Sequence, residues 1–240
     1  MRIVVFVAVV AAMTSTAWTQ TGALDVPVSG DFVIDNLEGM NPCAYGVVID
    51  QIARQARVSI GFETMAGCWL SPRSRENRNR GERLTGMTAR QALNHFVADV
   101  PTYRWQELDG VAVVRPKAAW DDRDDVLNAA VPPLSIADAH VSDVLDAILK
   151  ATSPVLFWPH SGVRSGRPID YPISVAFQGG RLIDALDAVV NATGKGTEWQ
   201  LGYAGSPMLT VGTLEWSGGT VMIPLLRSTL GLSSRMLKHR

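Results

Sequence analysis

Apolar positions recur at helical spacing in four stretches of the chain. Tyr45, Val48, Ile49, Ile52, Ala53 and Ala56 advance by steps of three and four. Ala89, Ala92, Leu93, Phe96 and Val97 repeat those steps. So do Val141, Val144, Leu145, Ile148 and Leu149, and then Leu182, Ala185, Leu186, Val189 and Val190. Each set lines one face of a helix, with polar residues opposite. Strands are predicted between them over residues 32–34, 58–62, 83–85, 103–108 and 111–114, and again over 134–136, 155–158, 173–177, 197–203 and 208–211. Thr88 and Gln91 stand at capping-box spacing before the second helix. Asp109-Gly110 between two strand patterns predicts a hairpin with a type I′ turn.

The second and fourth helical stretches align without a gap. Residues 84–93 (LTGMTARQAL) lie over residues 177–186 (FQGGRLIDAL), so that Gly86 meets Gly179 and Ala92-Leu93 meets Ala185-Leu186. A Trp-Gln pair follows in each half, at Trp105-Gln106 and Trp199-Gln200. The expected fold is α+β: two tandem modules of order β-α-β-β-α-β-β, with helices packed against short sheets. They are expected over residues 30–117 and 126–214. The charged stretch 118–125 (AAWDDRDD, from Ala118) reads as a linker outside any period. The tail, 215–240, fits neither module.

The ends and composition narrow the setting. Arg2, an apolar run over residues 3–13 and the small residues Ser15, Thr16 and Ala17 predict a signal peptide over residues 1–17. That run is shorter than the roughly 20 residues a membrane-spanning helix needs, and no later segment is apolar for as long. The mature chain is therefore expected to be exported, without a transmembrane segment. Net charge is −1, which lacks the basic excess that a nucleic-acid partner usually demands. In an oxidising compartment Cys43 and Cys68, the two cysteines of the chain, are expected to form a disulfide. A β-α-β path could bring them together, closing a loop worth roughly 3 kcal/mol in the chain-entropy model.

Residues 83–116 (RLTGMTARQALNHFVADVPTYRWQELDGVAVVRP) resemble the secretin and TonB short N-terminal domain. The resemblance rests on Leu84-Thr85-Gly86 before a helix, on Thr88 with Ala92-Leu93 within it, and on Gly110 with Val113-Val114 in the closing hairpin. Residues 49–62 (IDQIARQARVSIGF) are similar to the family's first helix and following strand. The resemblance implies small periplasmic domains that make protein contacts in bacterial receptors and secretins. With 240 residues the chain is expected to carry neither an outer-membrane barrel nor a secretin pore.

Candidate chemistry is sparse. His95, His140, His160 and His239 have no second ligand at metal spacing, and no Gly-x-Ser-x-Gly elbow occurs. Gly194-Lys195-Gly196-Thr197 lacks the upstream glycine of a phosphate loop and reads as a helix stop. Asp184 and Asp187 read as a solvated helix face, His95 as a solvated side chain, and Trp105 and Trp199 as core residues of two hairpins. Arg73, Arg75, Arg78, Arg80 and Arg83 form the most charged stretch. It reads as a solvated loop or as a surface that docks an anionic partner, because arginine pairs bidentately with carboxylates and phosphates. The expected function is a non-catalytic protein-interaction module with no cofactor or metal, bound to an envelope protein as an accessory of a secretion, pilus or TonB-linked system. The competing expectation is a periplasmic hydrolase with its site between the modules.

Overall fold

The structure is a computed structural model that describes residues 22–27, 31–35, 37, 40–68, 81–153, 156–157, 171–194, 196–203, 207–213, 220–224 and 226–227. The expected signal peptide, the arginines Arg73 to Arg80, His160 and His239 lie outside them. The architecture is α+β. The first half runs β1 (Asp31–Asp35), α1 (Tyr45–Ala56), β2 (Ile60–Glu63), β3 (Gly81–Thr85), α2 (Ala89–Asp99), β4 (Tyr103–Leu108) and β5 (Val111–Pro116). A short helix α3 (Lys117–Asp121) and strand β6 (Ala130–Val131) lead into the second half. That half comprises β7 (Leu134–Ala139), α4 (Val141–Ala151), β8 (Leu156–Phe157), β9 (Ile173–Phe177), β10 (Gly180–Arg181), α5 (Leu182–Thr193), β11 (Thr197–Tyr203) and β12 (Pro207–Thr213). Strands β13 (Thr220–Pro224) and β14 (Leu226–Arg227) follow.

Local signals act where the pattern places them. Thr88 accepts from the Gln91 backbone N–H, and the Gln91 side chain accepts from the Thr88 N–H, closing the capping box of α2. Asp109 and Gly110 both adopt positive φ, as a type I′ turn requires. Gly86 and Gly179, aligned in sequence, both take positive φ ahead of equivalent helices. Ala92, Leu93, Ala185 and Leu186 are all fully buried. The pairs β1–β3 and β7–β9 are both antiparallel.

The halves do not stand apart. One sheet has the order β13-β12-β11-β2-β5-β4, and its centre is the parallel pairing of β11 from the second half with β2 from the first. On one side of this seam lie β2, β5 and β4, and on the other β11, β12 and β13. β5 explains how the halves share a core. Ala112 and Val114 face α1 and α2, with Leu93, Phe96 and Tyr103. Val111 and Val113 face the opposite way and pack with α4 and α5 of the second half. A strand covered on both faces reads as a continuous apolar run rather than an alternation, which is how Val111-Ala112-Val113-Val114 looks.

Three connections differ from expectation. Residues 118–125 are an ordered bridge: α3 runs to Asp121, Trp120 is buried, and Asp125 caps a 3-10 turn over Val126–Asn128. The ordered structure begins before residue 30. A 3-10 turn over Ala23–Asp25 buries Leu24 completely and Pro27 bridges Thr88, just as Leu127 is buried and Ala130 pairs with Arg181 in the second half. Within the tail, β13 adds antiparallel to β12 and β14 pairs with β8. Among the described residues no helix is long and apolar enough to cross a membrane.

Candidate functional site

Titratable groups converge at the seam, at the carboxyl ends of the parallel strands β2, β5 and β11. Arg115, the fifth residue of β5, is fully buried. Its Nε donates to Glu63 Oε2 at 2.6 Å, and its Nη2 to Asp125 Oδ1 at 2.7 Å. Nη1 donates to Asn128 Oδ1 at 3.2 Å, and Nη2 also reaches the Ala119 carbonyl. The Tyr203 hydroxyl of β11 donates to Glu63 Oε1 at 2.6 Å. The guanidinium lies 5.2 Å from the centre of the Trp120 ring. Arginine suits such a position because its planar fork can be satisfied on several sides at once. The cluster ties β2, β5, the 117–128 bridge and β11 together.

One guanidinium here faces two carboxylates, so the cluster retains a proton at pH values where an exposed pair would lose it. Burial and the nearby Asp125 carboxylate push Glu63 up to about 7, against the pull of Arg115. Burial raises Asp125 as well, again opposed by Arg115. Burial and the Glu63 carboxylate raise the Tyr203 hydroxyl. Convergent groups with displaced pKa values between two halves are what a hydrolytic site would need. Here, however, the groups satisfy one another. Glu63 is 1% exposed and both of its oxygens are taken, and the bridge lies across Arg115.

A second buried acid lies on the same face of the seam. Asp187 of α5 is fully buried, its Oδ1 accepts the Trp199 indole N–H at 2.8 Å, and its Oδ2 has no hydrogen-bond partner among the described residues. Burial holds its carboxyl well above the usual carboxylate range, with the Trp199 bond pulling the other way. This corrects the expectation of a solvated pair. Asp184 does cap α5, accepting from the Arg181 N–H. Asp187 faces inward because α5 is buried on two sides. The apolar face Leu182, Ala185, Leu186, Val189 and Val190 was legible in the sequence. Beyond it, Ile183 and Asp187 are buried too. One turn on, Asn191 donates to the Asp109 carbonyl at the tip of the β4–β5 hairpin.

The Trp199–Asp187 bond has a counterpart. The Trp105 indole N–H donates to Asn94 Oδ1 at 2.9 Å, and Asn94 follows Ala92-Leu93 as Asp187 follows Ala185-Leu186. Trp199 is fully buried as expected, whereas Trp105 is only half-buried, with Arg90 lying 5.4 Å from its ring centre.

The remaining sequence candidates are dispersed. Cys43 and Cys68 form a disulfide with Cα atoms 4.9 Å apart, joining the 3-10 turn just before α1 to the segment after β2. Arg83 pairs with Val33 in the β1–β3 ladder, and Arg73, Arg75, Arg78 and Arg80 lie outside the described residues. His95 is half-buried and meets Asp99 at 3.3 Å, so it is not the fully solvated side chain expected. Gly194 ends α5 with positive φ, fulfilling its reading as a helix stop. No protein-family model, curated protein or solved structure matches this chain.

Proposed function

We propose that this chain is an exported periplasmic protein-binding module without a reaction of its own, serving a secretion, pilus or TonB-linked envelope system. The observation that carries this reading is the inward turn of its polar chemistry. Arg115, Glu63, Asp125 and Tyr203 are consumed by one another, leaving no oxygen of Glu63 and no open side of Arg115 for a substrate. The resemblance of residues 83–116 to the secretin and TonB short N-terminal domain supports the same reading. Its matched residues serve as scaffold here: Thr88 caps α2, Ala92 and Leu93 are buried, and Gly110 makes the hairpin turn.

The test is capture of envelope proteins by the mature chain, followed by a titration of each retained protein in purified form. Saturable binding of one envelope protein at equimolar stoichiometry supports the proposal. If Arg73, Arg75, Arg78, Arg80 and Arg83 dock that partner by charge, replacing Arg75, Arg78 and Arg80 with Ser weakens binding and flattens its salt dependence. The convergence of Glu63, Asp125 and Tyr203 between the halves keeps a hydrolase as the second reading. A turnover by the wild-type chain that disappears in Glu63→Gln, with folding intact, would replace the binding proposal.

A further inference from the structure

The two halves differ in what lies beside their equivalent hairpins. β11 is paired on both sides, by β12 and by β2. Its counterpart β4 is paired by β5 alone among the described residues, and ends the six-stranded sheet. From this difference we propose that the outer edge of β4 is a docking slot. Its occupant is an extended segment of a partner protein, added parallel to β4 with a glycine opposite Trp105. The proposal rests on the protein-binding reading and names the surface that serves it.

The seam inside the molecule is the template. Trp199 sits opposite Gly61 of β2, and its ring spreads across that residue: a Cβ there would stand 2.3 Å from two atoms of the indole. Ile60 and Phe62 flank the glycine, with side chains on the other face. Trp105 occupies the third position of β4, as Trp199 does in β11, and its indole is held by the equivalent helix residue. Trp199 is closed off because β2 continues the sheet past it. Trp105 stays half-exposed because no described strand continues the sheet beyond β4.

The backbone supports the same pairing. Tyr103 donates its N–H to the Val100 carbonyl, away from β5. Antiparallel alternation places the N–H and C=O groups of Trp105 and Glu107 on that same outer side. At the seam, Thr64 donates to the Leu201 carbonyl, the residue after the Glu63 partner of Leu201. By the same offset, the residue after the glycine of an incoming strand donates to the Trp105 carbonyl. Backbone bonds of this kind supply affinity, and the side-chain fit at alternate positions supplies specificity. The Glu107 carboxylate, paired with Arg90 at 2.7 Å, lies beside the slot.

The test uses the mature chain and a synthetic peptide copying residues 58–64, Val-Ser-Ile-Gly-Phe-Glu-Thr, followed by nitrogen–proton NMR. Saturable shifts of the Trp105 and Glu107 amides and of the Trp105 indole N–H are expected, without shifts at Trp199. A peptide with Val in place of the glycine should lose binding. One with N-methylphenylalanine after the glycine should bind about tenfold more weakly, having lost one interstrand hydrogen bond. Glu107→Pro should abolish the shifts while leaving the β4–β5 ladder intact, since it removes an outward-facing N–H. Should that variant fold poorly, the peptide substitutions on wild-type protein carry the test. Absence of shifts along β4 at millimolar peptide, or equal binding of the glycine and valine peptides, overturns the slot. If an envelope partner binds the wild type and Glu107→Pro equally, protein binding stands and the edge is removed as its site.

Discussion

The indole of Trp199 lies across Gly61, so that a methyl group at residue 61 would meet the ring at 2.3 Å. Trp199 belongs to the second half and Gly61 to the first, and they are opposite one another in the parallel seam. The seam therefore depends on the smallest side chain meeting the largest. Gly61→Ala should cost about 1–3 kcal/mol, the usual range for forcing extra volume into a packed core. Chemical denaturation checks this. An unchanged midpoint would mean that the ring is free to move away.

Two buried acids at the seam make stability depend on pH in a defined direction. A carboxyl whose pKa is higher in the folded chain binds more protons there than when unfolded, so stability falls as pH rises. For Glu63 the fall begins near the unfolded value, 4.5, and is complete above about 7. Asp187 is also raised, so it contributes in the same sense. Asp187→Asn keeps an acceptor for Trp199 and cannot ionise. Its melting temperature relative to wild type should therefore climb as pH is raised from acid to neutral. Parallel curves for the two proteins would show that the carboxyl of Asp187 binds protons equally in the folded and unfolded chain, so that burial does not raise it.

Leu24 and Leu127 each lie in a 3-10 turn, three residues before a residue paired with the start of a helix. Both are fully buried. Leu24→Ala and Leu127→Ala should each cost about 2–5 kcal/mol, as for other core leucines. A cost near zero for Leu24→Ala alone would detach residues 22–27 from the folded unit.

The disulfide between Cys43 and Cys68 closes a chain loop of 25 residues' separation. Reduction should lower stability by roughly 3 kcal/mol. Alkylation of protein prepared under oxidising conditions should modify no cysteine until reductant is added; two reactive thiols at the outset would contradict the bond.

Much of the local structure was legible because its causes are local. Helical spacing gave α1, α2, α4 and α5, Thr88 and Gln91 gave a cap, and Asp109-Gly110 gave a turn. The seam was not legible. Nothing in β11 distinguishes a strand that pairs with a distant β2 from one that ends a small sheet, since the pairing depends on backbone groups every strand has. Gly61 was the one trace, a glycine inside a strand pattern, which marks close approach by another group. Asp187 was misread for a related reason. Its exposure was inferred from one helix face, whereas α5 is buried on two. The anchor at Leu24 went unseen because a single leucine in a short turn carries no periodicity.

The central claim is that the halves form one cooperative unit through β2 and β11. Native-state amide hydrogen exchange tests it most directly, because amides that open only by global unfolding share a common free energy. The amides of Phe62, Val113 and Leu201 should exchange with the same opening free energy, equal to that of denaturant unfolding, and Gly61→Ala should lower all three together. Separate opening energies for Val113 and Leu201, with Gly61→Ala affecting one half alone, would contradict it.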